Sequence, residues 1–234
     1  MGRRRGAATA GPSSVVGDAQ RRALAVAALA AGLAGCGAPP RPVPSAPVPP
    51  PTVLELPYDG GRVTLTRDGA LCALRWQGAL HAGALQRLRQ ALDSDAARAC
   101  HQRRAWLHGL DGALNDAVTA GAMLRNRGWG TAVPAATVCT TPCWLVLAGG
   151  QPRRVEAGAT VVLTPLPPDP DFARGPCGGE PSRAQQLTLA RYLGAMLPDP
   201  TAVALHRRVV EADCREPPRL DAAQAFALGL ATER

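Results

Sequence analysis

The side chains able to do chemistry in this chain are few: seven cysteines, four histidines and a scatter of hydroxyls, with no lysine among its 26 basic residues. Cys36 stands apart, close to the N-terminus. The other six are Cys72, Cys100, Cys139, Cys143, Cys177 and Cys214, an even number. Cys139 and Cys143 have the spacing of a zinc half-site, but no second Cys or His pair at ligand spacing completes it. His81, His101 and His206 read as surface helix or loop residues, and none belongs to a ligand-spaced pair. No metal and no cofactor is expected. In an oxidising compartment an even set of thiols reads instead as disulfides, with many pairings open in principle. Cys72 and Cys100 each precede or begin a predicted strand, so parallel pairing of those strands would bring the two thiols to the same end. The favoured set is Cys72–Cys100, with Cys139–Cys143 and Cys177–Cys214 formed locally.

The compartment is written at the N-terminus. Residues 1–22 are polar and carry Arg3, Arg4, Arg5, Arg21 and Arg22, and residues 23–33 (ALAVAALAAGL) form an apolar run. Leu33-Ala34-Gly35-Cys36 follows at once. A charged, then apolar, then small-residue order is that of an export signal. The apolar run is about half the ~20 residues a membrane-spanning helix needs. Its tail resembles the bacterial lipobox, and that resemblance implies cleavage before Cys36, diacylation of its thiol and acylation of the new amino group. Several acyl chains make a stable membrane anchor. Gly37 after the lipidated cysteine resembles lipoproteins sorted to the outer membrane. Arg21-Arg22 matches twin-arginine export poorly, because Gln20 and Ala23 flank it. Residues 38–51 (APPRPVPSAPVPPP) then form a proline-rich spacer, semi-rigid and able to reach ~40 Å at ~3.1 Å per residue. The expected organisation is a signal peptide over 1–35, a lipidated cysteine and tether over 36–51, and one folded domain over 52–234.

The formal net charge of +8 does not mark a nucleic-acid binder. Cleavage before Cys36 removes five arginines and one aspartate, so +8 becomes +4, and the few aromatic residues offer no stacking platform. The remaining arginines, including the pairs Arg103-Arg104, Arg153-Arg154 and Arg207-Arg208, read as solvated surface. Trp76, Trp106, Trp129 and Trp144 read as core or rim packing.

Within the domain, Arg62 to Thr66 and Leu71 to Trp76 flank Asp68-Gly69 and read as two strands joined by a turn. Leu80, Ala84, Leu85, Leu88, Ala91 and Leu92 then fall at helical spacing. Ala105 to His108 reads as a strand, Ala113 to Arg125 as a helix, Thr131 to Val133 and Val155 to Leu163 as further strands, and Cys143 to Ala148 as helical. Beyond Pro181 the pattern is helical over 182–196, 201–212 and 221–230. Strands alternating with helices imply parallel pairing and an α/β domain.

Three segments, Trp106 to Ala117 (WLHGLDGALNDA), Leu124 to Val133 (LRNRGWGTAV) and Cys139 to Gly149 (CTTPCWLVLAG), resemble in order and spacing the periplasmic branch of the ClpP/crotonase superfamily. Arg153 to Thr164 (RRVEAGATVVLT) and Asp221 to Thr232 (DAAQAFALGLAT) are similar to its later segments. The resemblance covers roughly residues 62–232 and implies a fold of repeated ββα units. It also implies chemistry: a serine nucleophile, a base and backbone donors for an oxyanion. Thr141 stands at the nucleophile position and Thr164 at the histidine position. Of the Gly-Gly donor turn only Gly112 survives, with Asp111 putting an anion beside it. His108 occupies an asparagine position and reads as a strand-end polar residue. Related signal-peptide peptidases use a lysine base, a route closed to a chain without lysine. The reading is a membrane-anchored periplasmic lipoprotein whose domain binds or scaffolds an envelope protein or peptide without catalysing. Two alternatives stand beside it: a residual hydrolase in which Thr141 acts with His108, and a purely structural envelope lipoprotein.

Overall fold

The structure, a computed structural model, describes residues 51–166 and 181–234. The expectations for the signal segment, Cys36, the tether and Cys177 therefore fall outside the described residues. Among the described residues no helix is long and apolar enough to cross a membrane.

The domain opens with an antiparallel meander of β1 (Thr52–Tyr58), β2 (Gly61–Asp68) and β3 (Leu71–Leu80). Along β2 and β3, Val63, Leu65, Cys72, Leu74 and Trp76 are buried, and the residues between them point to the other face. The buried face is covered by α1 (Ala82–Leu92), whose Ala84, Leu88, Ala91 and Leu92 form one stripe. His81 caps that helix by accepting from the Gly83 N–H. A short α2 (Asp95–Arg98), capped by Ser94, leads into β4 (Gln102–Gly112), which runs parallel to β3 with Leu74 beside Ala105. That pairing places the starts of β3 and β4 together, and Cys72 and Cys100 are disulfide-bonded there with Cα atoms 5.7 Å apart.

The rest alternates between two sheets. After α3 (Leu114–Asn126), β5 (Gly130–Val133) joins the main sheet beside β4 and β6 (Val138–Cys139) joins a second one, before α4 (Thr141–Gly149). The next pair repeats the step: β7 (Arg153–Val155) pairs with β5, β8 (Thr160–Val162) pairs with β6, and helix α5 (Arg183–Met196) is the next described element. Then come α6 (Asp199–Val210), β9 (Arg219–Leu220) and α7 (Ala222–Ala227). The sheets read β1-β2-β3-β4-β5-β7 and β6-β8-β9. These are the ββα units the resemblance implied, each sending one strand to either sheet.

Two expectations are corrected. Val155 to Leu163 is not one strand: a turn closed by the Ala159 N–H donating to the Glu156 carbonyl, with Gly158 at φ +83°, divides it between the two sheets. The last helix stops at Ala227 instead of running to Leu230, because Gly229 takes φ +83° against Thr201 and redirects the chain. Three of the four tryptophans, Trp76, Trp129 and Trp144, are fully buried, and Trp106 is half-buried on the open sheet face.

Candidate functional site

Helix α4 is apolar on every side, and all nine of its residues are buried. Its position is set by glycine. A Cβ on Gly149 would lie 2.3 Å from the Gly121 carbonyl oxygen, so the backbones of α3 and α4 touch there. Tyr192 of α5 closes the contact by donating its hydroxyl to the Leu145 carbonyl at 2.7 Å, and burial pushes its pKa up. At the other end, Cys139 and Cys143 are disulfide-bonded with Cα atoms 5.2 Å apart, tying β6 to the first turn of α4. Thr141 sits between them as the first residue of the helix, 2% exposed.

Thr164, which stands where the resemblance calls for histidine, is the residue against Thr141. The two close a ring of hydrogen bonds. The Thr141 hydroxyl donates to the Thr164 carbonyl, the Thr164 hydroxyl donates to Thr141 Oγ1 at 2.7 Å, and the Thr141 N–H donates to Thr164 Oγ1 at 3.2 Å. The proton a nucleophile would have to lose is therefore held by a peptide carbonyl, which is no base.

The donor side is closed in the same way. The Gly112 N–H donates to the carboxylate of Asp111 at 2.8 Å, and the Thr141 N–H is already given to Thr164. An oxyanion hole needs N–H groups that are free until charge develops. Gly112 is required for another reason: at φ +143° a Cβ would lie 2.5 Å from the Leu80 carbonyl oxygen of the neighbouring strand.

His108 does not join this ring. It lies on β4 beside Gln77, on the sheet face opposite buried Ala105 and Leu107, and among the described residues it has no hydrogen-bond partner. Burial, and then the nearby Arg75 guanidinium, hold its pKa below the usual imidazole value. Among the described residues no cluster of three or more His, Cys, Asp or Glu could hold a metal. Cys214 is disulfide-bonded, and Cys177, its expected partner, lies outside the described residues.

One expectation about charge fails. Arg153 is 4% exposed, not solvated. Its guanidinium donates to the carbonyls of Leu230 at 2.7 Å, Gly229 at 3.2 Å and Gly150 at 3.4 Å, so it sits among the carbonyl ends of α7 and α4. Arg125 does the same for α4 and α5 through the Ala148 and Met196 carbonyls. A cation at a helix C-terminus is favoured by the aligned peptide dipoles. Burial and Arg125 lower the Arg153 pKa. The chain beyond α7 completes the clamp: the N–H groups of Thr232 and Glu233 both donate to the Arg153 carbonyl, and Glu233 pairs with Arg104 at 2.9 Å. Nothing in an Arg-Arg dipeptide announces this, because the Gly229 and Leu230 carbonyls arrive more than seventy residues later.

No protein-family model matches the chain, and no curated protein matches it either. Solved structures do. A serine-to-alanine mutant of a membrane-bound stomatin-specific protease superposes with TM-score 0.52 at 9% identity, over 68% of this chain and 76% of that one. A lysine-to-alanine mutant of the same protease, in complex with a substrate peptide, gives TM-score 0.51 at 8% identity, over 68% of this chain and 71% of that one. An enoyl-CoA hydratase from Mycobacterium marinum gives TM-score 0.49 at 15% identity, over 73% of this chain and 76% of that one. The fold is ClpP/crotonase-like, a mixed α/β architecture.

Proposed function

We propose that this chain is a lipoprotein, anchored through acylated Cys36 in the outer membrane and facing the periplasm, whose ClpP/crotonase-like domain binds or scaffolds an envelope protein or peptide without catalysing. The closed ring at the N-terminus of α4 carries the reading. Thr141 and Thr164 satisfy one another's hydroxyls, and the Asp111 carboxylate occupies the Gly112 donor, so nucleophile, base and oxyanion donor are spent inside the chain. What remains of the site is a frame without its chemistry. The anchor is supported by the order of the first 36 residues and by the spacer after them.

Two measurements test the two halves separately. Intact mass of the protein recovered from bacterial envelopes should show a chain beginning at Cys36 with acyl groups attached, and a Cys36→Ser chain should lack them. Unacylated wild-type protein washed free by salt would overturn the anchor. A fluorophosphonate probe for activated hydroxyls should leave the protein unlabelled, whereas labelling abolished by Thr141→Ala would establish the hydrolase alternative.

A further inference from the structure

Among the described residues, the face of the main sheet turned away from α1 carries exposed or half-exposed side chains over β1 to β4, and they form a grid fixed by the strand register. One row runs Glu55, Thr64, Arg75 and Trp106, and the next runs Pro57, Arg62, Gln77 and His108. Arg62, Arg75 and Gln77 are exposed, and Trp106 and His108 are half-exposed. The composition is one-sided. Guanidinium, indole, amide and imidazole groups offer N–H donors, and across these two rows Glu55, at the hairpin edge, is the single carboxylate. No carboxylate among the described residues pairs with Arg62 or Arg75. Trp106 Nε1 and the His108 ring likewise lack a partner there. In the adjoining row of the same face, Val53, Thr66, Ala73 and Arg104, the arginine is already paired with Glu233, and away from this face Arg127 is held by Asp93 and Arg125 and Arg153 by carbonyls.

We infer that this face is a docking surface for an acidic, extended segment of a partner protein, with Arg62 and Arg75 receiving its carboxylates and Trp106 providing the apolar floor. The inference rests on the binding reading of the domain and not on the lipid anchor. Three features choose this occupant. The donors lack matching acceptors, so the partner supplies anionic oxygens. Arginine and tryptophan are the types that dominate binding hot spots. The grid spans roughly 14 Å across its four strands at ~4.8 Å spacing, which fits one extended segment and is too small for a large obligate interface. Alternate residues of an extended segment fall ~6.8 Å apart on one side, matching the step between rows of the grid.

The test uses the purified full chain and a fluorescein-labelled glutamate-rich peptide followed by fluorescence anisotropy. Binding should weaken as salt rises, and Arg75→Glu should weaken it about tenfold, the effect of removing one favourable pair and creating one repulsive pair at an exposed site. Trp106→Ala should also weaken it. Arg191→Glu, an equal change in net charge at an exposed position on α5, should leave it within about twofold. Equal losses for Arg75→Glu and Arg191→Glu would reduce the effect to net charge and overturn the proposal. Arg75-dependent binding to phosphatidylglycerol vesicles that the peptide fails to displace would overturn it in favour of a membrane. In envelope crosslinking, loss of a partner from Arg75→Glu but not from Arg191→Glu supports the face. A partner retained by both places binding elsewhere and leaves the binding reading intact, while no crosslinked partner for any chain fails the binding reading itself.

Discussion

If Thr141 and Thr164 form a structural lock, removing either hydroxyl must cost stability. Thr141→Val keeps the shape of a 2%-exposed side chain and deletes its oxygen. Two hydrogen bonds vanish, one to the Thr164 carbonyl and one from the Thr164 hydroxyl. A net loss of about 1 kcal/mol for each is typical. The expected total is about 2 kcal/mol. For a domain of this size each kcal/mol moves the melting temperature by roughly 2–4 °C, so the variant should melt about 4–8 °C below the parent. Thr164→Val removes the same hydroxyl–hydroxyl bond and also the acceptor of the Thr141 N–H. The shared bond is then counted in both single variants, and the double variant should lose about 1 kcal/mol less than their sum. Differential scanning calorimetry of the four chains completes the cycle. A Thr141→Val chain that melts with the parent, with no coupling to Thr164, would refute the lock, and the ring would then be incidental to an otherwise available hydroxyl.

Gly149→Ala should destabilise the domain by about 3 kcal/mol or more, since its methyl group would meet the Gly121 backbone at 2.3 Å; urea denaturation measures it, and wild-type stability would show that α3 and α4 separate freely. His108 has its pKa lowered by burial and then by Arg75, so the folded protein binds fewer protons than the unfolded chain between the depressed value and about 6.5. Its contribution is therefore present above pH ~6.5 and lost as pH falls through the depressed value; His108→Gln should flatten that part of the stability profile, and an NMR titration of the ring should give a midpoint below the ordinary value. Arg153→Met should lower the melting temperature by several degrees, because the carbonyls of Gly229 and Leu230 lose a charged donor; an unchanged or raised value would mean that the cost of burying the guanidinium already cancels its bonds.

The parts of this fold that can be read from sequence are those with a period. The alternation in Arg62 to Thr66 and Leu71 to Trp76 specifies the β2–β3 hairpin, and the stripe from Ala84 to Leu92 specifies α1. Strands β6 and β9 are two residues each, too short to show any alternation, and β1 ends in Leu-Pro-Tyr directly after a proline-rich run. The two disulfides among the described residues follow from topology and proximity: parallel neighbours for Cys72 and Cys100, one turn of chain for Cys139 and Cys143. At the candidate site, collinear motifs point to Thr141 and Thr164, but only the folded chain brings the two together so that each hydroxyl is answered by the other residue. Arg153 was illegible because an arginine beside another arginine looks like solvent-facing charge until its distant acceptors are placed around it.

The clamp at Arg153 also sets an order of events. Its strongest acceptor lies 77 residues further along the chain, and the last strand of the main sheet is tied down by Thr232 and Glu233. A ribosome that has just released Arg153 has made a cation with nowhere to go, and the interior around it cannot dehydrate until residues 229 to 233 emerge. Completion of the domain must therefore wait for nearly all of it to be synthesised.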